Sequence, residues 1–282
     1  MSIDDKALEL HKKNRGKISV ESKVNLNNKE DLSLAYTPGV AEPCREIEKN
    51  SEKVYEYTAK GNLVAVVSSG TAVLGLGDIG PEAALPVMEG KAVLFKKFAG
   101  IDAFPLCVGS KKVDDIVNFV KLLEPTFAGI NLEDISAPKC FKIEERLKKE
   151  TNMAIFHDDQ HGTAIVVLAG LINAAKFIEK DLGGLEIVIN GAGAAGLAIA
   201  NLLLEVGVKD IVLVDKCGAI TAETEGINWA QKEMAKRTNS SSVKGDLEDV
   251  IVGRDVFIGV SAPDLVSSEM VSSMAQNPII FA

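Results

Sequence analysis

Short β-branched apolar runs alternate along this chain with longer segments in which apolar residues return every three or four positions. The runs at 63–68, 101–108, 127–131 and 153–156 read as strands, because such runs fit a pleated, buried surface. Between them, 82–98, 113–123 and 138–149 carry helical spacing, and 4–14 predicts a short amphipathic helix. This rhythm predicts an α/β fold with a largely parallel sheet.

The second half repeats the rhythm. A long apolar helix at 163–180 closes near Gly183-Gly184 and is expected to bridge two domains, 1–162 and 163–282. A strand at 185–190 then runs into Gly191-Ala192-Gly193-Ala194-Ala195-Gly196, followed by a helix to residue 205 and a strand at 211–214 that ends on Asp215. Strand, glycine-rich turn, helix and acid together predict a Rossmann-type, doubly wound dinucleotide site. The glycines allow a tight turn and close approach to pyrophosphate, and the acid accepts from ribose hydroxyls. Asp215 favours NAD over NADP because it repels a 2′-phosphate, and Lys216 beside it partly offsets that repulsion. A strand at 255–260 brings Ser261-Ala262-Pro263 to the same crevice. Another strand opens at 278–281, where the chain stops, so this half is expected to be incomplete at its C-terminus.

Acidic pairs close two strands of the first half. Glu133-Asp134 follows the run at 127–131, and Asp158-Asp159 follows the run at 153–156. Open α/β sheets place ligands at the carboxyl ends of their strands. Four carboxylates there predict a divalent cation, Mg²⁺ or Mn²⁺, for which hard oxygen ligands are suited; two solvated turns are the alternative. The segment 70–81 is dense in glycine and ends in Pro81, which suits a first helical turn. In the helix that follows, Lys91 lies among apolar neighbours, where a lysine either snorkels or serves chemistry. Tyr36 sits beside the turn signal Pro38-Gly39.

Composition narrows the classes. Net charge is −9 with no basic block, which argues against a nucleic-acid partner. Cys44, Cys107, Cys140 and Cys217 are widely spaced without a C-x-x-C pair, against a zinc or disulfide framework. The polar N-terminus is no secretory signal, and no apolar run is long enough to span a bilayer. A cytoplasmic protein without membrane partners is the expectation.

Five stretches together resemble a known family. AYTPGVA around Tyr36, GTAVLGLGDIGPEAALPVMEGKAVLF from Gly70, NLEDISAP from Asn131, FHDDQHGTA from Phe156 and the GAGAAG turn are similar to the short bacterial-type malic enzymes in order and spacing. The resemblance covers the chain from about residue 15 onward. It implies an oxidoreductase that decarboxylates L-malate to pyruvate and CO₂ with NAD or NADP and a divalent metal, acting as a homodimer or higher homo-oligomer. By position, Tyr36 corresponds to the general acid, Lys91 to the general base, and Asp158 to the carboxylate that partners the lysine. Glu133, Asp134 and Asp159 correspond to the metal ligands. Larger eukaryotic members carry an arginine in the glycine-rich motif, where this chain reads Thr71-Ala72-Val73, so another group must hold the second carboxylate of malate. The family also continues beyond Ala282. The competing readings are another 2-hydroxy- or amino-acid dehydrogenase and a non-catalytic nucleotide- or metabolite-binding form of the same fold.

Overall fold

The first unit of the chain is built on a four-stranded sheet. A computed structural model describes residues 1–282, and contacts divide them into Met1–Ile135 with Ile143–Phe156, and Ser136–Lys142 with His157–Ala282. Helices α1 (Ile3–Asn14), α2 (Lys29–Ala35), α3 (Ala41–Lys49) and α4 (Val54–Tyr57) precede strand β1 (Leu63–Ser68). Helix α5 (Pro81–Leu94), strand β2 (Asp102–Cys107), helix α6 (Val113–Leu122), strand β3 (Gly129–Glu133), helix α7 (Lys139–Glu150) and strand β4 (Ala154–His157) follow. The strand order is β2-β1-β3-β4, and β1 runs parallel to both β2 and β3.

The sequence pattern explains this arrangement. All five residues of β3 are buried, as the interior of a parallel sheet requires, and its two polar members, Asn131 and Glu133, hydrogen-bond to each other. Helix α5 packs on β1 and β2 and buries Ala84, Met88 and Ala92 at intervals of four, one helical face. Pro81 occupies its first turn, where a missing N–H costs nothing. A π turn at Phe95–Ala99 closes the helical stretch expected at 82–98. Helices α2, α3 and α4, which the sequence pattern did not predict, are short and carry no fully buried residue.

In the second unit, helix α8 (Thr163–Phe177) leads into β5 (Ile187–Asn190), α9 (Ala194–Glu205), β6 (Ile211–Asp215), β7 (Gly218–Ala219), α10 (Trp229–Ala235), α11 (Leu247–Val250), β8 (Val256–Gly259), α12 (Ser268–Ser273) and β9 (Ile279–Phe281). The sheet order is β7-β6-β5-β8-β9, parallel except for β7. Ile187 and Ile189 of β5 join one apolar cluster with Leu171 and Ala175 of α8 and Ile199 and Leu203 of α9. Val188 faces the other way, with Val212, Val214 and Phe257. Both faces of β5 are therefore covered, as doubly wound sheets demand. Helix α8 belongs to this core and is not a free-standing bridge. The connection crosses over at β5, with β6 on one side and β8 on the other, which makes its carboxyl end the switch point where such folds bind ligands. No helix is long and apolar enough to cross a membrane.

Candidate functional site

In the first unit the candidate chemistry gathers at the end of β3. Glu133 closes the strand and Asp134 follows it, and both are buried. Glu133 is held from two sides. Its Oε2 accepts a hydrogen bond of 2.7 Å from Asn131 Nδ2, and its Oε1 lies 3.1 Å from the Lys91 ammonium. Lys91 therefore does not snorkel to solvent from α5; its side chain is 21% exposed and reaches the end of the strand.

Asp134 adopts φ 52°, the left-handed region that a non-glycine residue occupies only when its surroundings hold it there. The restraint is visible. Its carbonyl accepts the N–H groups of Thr71 and Ala72 at 3.0 and 3.2 Å, so the glycine-rich segment clasps the turn. That segment is closed at its base, where the Gly70 carbonyl accepts the N–H groups of Ile79 and Gly80. A Cβ at Gly70 would lie 2.2 Å from the Gly80 oxygen, which is why this position must be glycine. Tyr36 caps α2 at its C-terminus, in the bend expected beside Pro38-Gly39, and is 68% exposed.

In the second unit the chain leaves β4 through a π turn at Asp158–Gly162. His157 is fully buried, with Nε2 3.3 Å from Asp159 Oδ2. A Cβ at Gly162 would meet Asp158 Oδ1 at 2.6 Å, so the glycine makes room for that carboxylate against the backbone.

The glycine-rich turn after β5 shows a division of labour among its glycines. Gly191 has φ +114°, and a Cβ there would lie 2.7 Å from the Val260 oxygen and 3.1 Å from the Ser261 Cβ. The structure thus brings Ser261 beside the turn, as expected for the end of β8. A Cβ at Gly196 would fall 1.8 Å from the Gly191 oxygen. At Gly193 a Cβ would meet nothing within 4 Å. Gly193 is also the N-cap of α9, with no side-chain hydrogen bond to the helix N-terminus, which leaves its amides for an anion. Ala192 lies within the turn, and Ala194 and Ala195 open the helix.

Asp215 ends β6 as expected, with Oδ1 accepting the Lys216 N–H at 2.8 Å while Lys216 itself is exposed. Its other oxygen is held by a residue that periodicity does not reveal. Gln231 Nε2 donates to Asp215 Oδ2 at 2.9 Å and to the Ala192 carbonyl at 3.1 Å, and thereby ties the acid to the glycine turn. The readable trace of Gln231 is the pair Asn228-x-x-Gln231, a capping box at the start of α10.

A family model described as "Malic enzyme, N-terminal domain" matches residues 13–112 and 109–148. A second, "Malic enzyme, NAD binding domain", matches residues 160–282. The chain is 62% identical over 283 residues to a "Bifunctional malic/malolactic enzyme" of Bacillus subtilis (strain 168), covering 100% of this chain and 69% of the relative. It is 55% identical over 267 residues to an "NAD-dependent malic enzyme" of Geobacillus stearothermophilus, covering 95% of this chain and 56% of that protein. The crystal structure of an NAD-dependent malic enzyme from Thermotoga maritima superposes with a TM-score of 0.94 at 50% identity, covering 98% of this chain and 74% of that one.

Proposed function

The chain belongs to the malic enzyme family, and from that premise we propose that it oxidatively decarboxylates L-malate to pyruvate and CO₂, reducing NAD⁺ or NADP⁺ in the presence of a divalent metal. The observation that carries the reading is the Lys91–Glu133 pair at the end of β3, which holds the proposed base among the carboxylates of a ligand-binding strand end.

The donor chemistry fits a hard cation. Glu133, Asp134 and Asp159 each offer a carboxylate oxygen, with no thiolate among them, and this suits Mg²⁺ or Mn²⁺. When bound, the metal supplies Lewis-acid polarisation of the substrate oxygens, and the nicotinamide supplies the hydride acceptor. The open face of Gly193 and the uncapped N-terminus of α9 fit a pyrophosphate.

The chain's own residues then move protons. Lys91 takes the proton of the malate C2 hydroxyl as hydride departs from C2. After CO₂ leaves C3, the Tyr36 hydroxyl protonates that carbon to give the methyl group of pyruvate. Asp158 serves as the supporting carboxylate. A homodimer belongs to the same proposal, because α2 and its C-cap leave Leu32, Leu34 and Tyr36 exposed at 52, 70 and 68%.

The test is absorbance at the reduced-nicotinamide band with malate, Mn²⁺ and either cofactor. The proposal expects a rise that requires both malate and metal. A rise unaffected by chelation, or none with either cofactor while the protein is folded, refutes it.

A further inference from the structure

Building on the reading of the second unit as a nicotinamide dinucleotide domain, we propose that Gln231 is a positioning residue. It aims the Asp215 carboxylate at the adenosine ribose and so sets the preference for NAD⁺ over NADP⁺.

The carboxamide of Gln231 is buried and its orientation is dictated by chemistry. Oε1 accepts the Asn228 N–H at 2.9 Å, and both Nε2 hydrogens are used, on the Ala192 carbonyl and Asp215 Oδ2. Turning the amide over would set its oxygen against two acceptors and its NH₂ against an N–H, losing all three bonds. Asp215 is thereby held on both oxygens, by Gln231 on one and by the Lys216 N–H on the other. A carboxylate oxygen accepts more than one hydrogen bond, so each keeps capacity for a ribose hydroxyl. The same NH₂ group grips the pyrophosphate turn at Ala192, which keeps the ribose acid and the phosphate cradle in register. A 2′-phosphate takes no hydrogen bond from this acid and is repelled by it. Fixing Asp215 in place thus favours one cofactor only.

The experiment titrates NADH and NADPH by nicotinamide fluorescence into the wild-type chain and into Gln231→Met, Asp215→Ala, the double variant and Asn228→Ala. Methionine preserves length and packing but donates nothing. A lost hydrogen bond to a charged group amounts to roughly tenfold in affinity. Gln231→Met should therefore weaken NADH about tenfold more than it weakens NADPH, which shares the turn held at Ala192, so that NADH/NADPH discrimination falls about tenfold. In the Asp215→Ala background the second substitution should leave discrimination unaltered. Asn228→Ala weakens the cap of α10, and should lower Tm without changing discrimination. If Gln231→Met does not fold, Gln231→Asn keeps a neutral amide one methylene too short to reach Asp215 and should show the same loss. Equal weakening of both cofactors, or of neither, overturns the positioning role. Unchanged NADH affinity in Asp215→Ala overturns instead the reading of Asp215 on which it rests.

Discussion

Two glycines three residues apart in the turn after β5 should fail in opposite ways when each gains one methyl group. At Gly196 the new Cβ would stand 1.8 Å from the Gly191 carbonyl oxygen. A carbon and an oxygen not bonded to each other need more than about 3 Å, so α9 and the turn must part by roughly 1 Å against packed neighbours. Overpacking of this kind costs on the order of 1–3 kcal/mol. In a unit of this size that lowers Tm by roughly 4–11 °C. Gly193→Ala places its Cβ in open space, on backbone at φ −88° and ψ −157° that alanine adopts readily. Its stability should stay within about 0.5 kcal/mol of wild type. The same methyl stands where a pyrophosphate must approach the N-terminus of α9, so NADH affinity should fall at least about tenfold, the equivalent of 1.4 kcal/mol. Thermal melts and NADH fluorescence titrations on the two variants decide the matter. If Gly196→Ala melts with wild type, or Gly193→Ala binds NADH as tightly as wild type, the assigned roles are wrong.

Three further outcomes follow from the same geometry. Lys91→Ala should lose both malate oxidation and oxaloacetate reduction by about 10²- to 10⁴-fold, whereas Tyr36→Phe should lose pyruvate formation by a similar factor and keep oxaloacetate reduction; equal loss of oxaloacetate reduction in the two variants refutes the division. Asp159→Ala should weaken Mn²⁺ binding measured by paramagnetic resonance titration, and wild-type affinity in the variant removes Asp159 from the ligand set. Burial raises the pKa of Asp255, but the Glu186 N–H and the Lys180 ammonium outweigh it and hold the carboxyl below its ordinary value of 3.8. Its contribution is fully present above that pH and is lost as pH falls through the depressed value. Asp255→Asn should therefore melt below wild type near neutrality, with the gap closing below pH 4, and a gap constant across that range contradicts the linkage.

The elements that position the site were legible wherever burial imposed a period. β1 and β6 fall where apolar runs place them, and within the run from Gly191 to Asp215 the glycines at 191 and 196 are demanded by close backbone approach. The left-handed turn at Asp134 was not legible. It depends on two N–H groups from Thr71 and Ala72, more than sixty residues earlier in the chain. Gln231 was hidden for the same reason: its partners Ala192 and Asp215 lie 39 and 16 residues away, and nothing in the local pattern links them. The salt bridge of Lys91 likewise required the fold, since an apolar helix surrounding a lysine is equally compatible with snorkelling.

The most direct test of the central claim is the stoichiometry of one reaction. Malate, Mn²⁺ and the preferred cofactor are incubated with the chain, and reduced nicotinamide, pyruvate and released CO₂ are quantified together. The account predicts equal amounts of all three, falling together in Lys91→Ala. Reduced nicotinamide accumulating with oxaloacetate, and without CO₂, would show a simple hydroxy-acid dehydrogenase and contradict it.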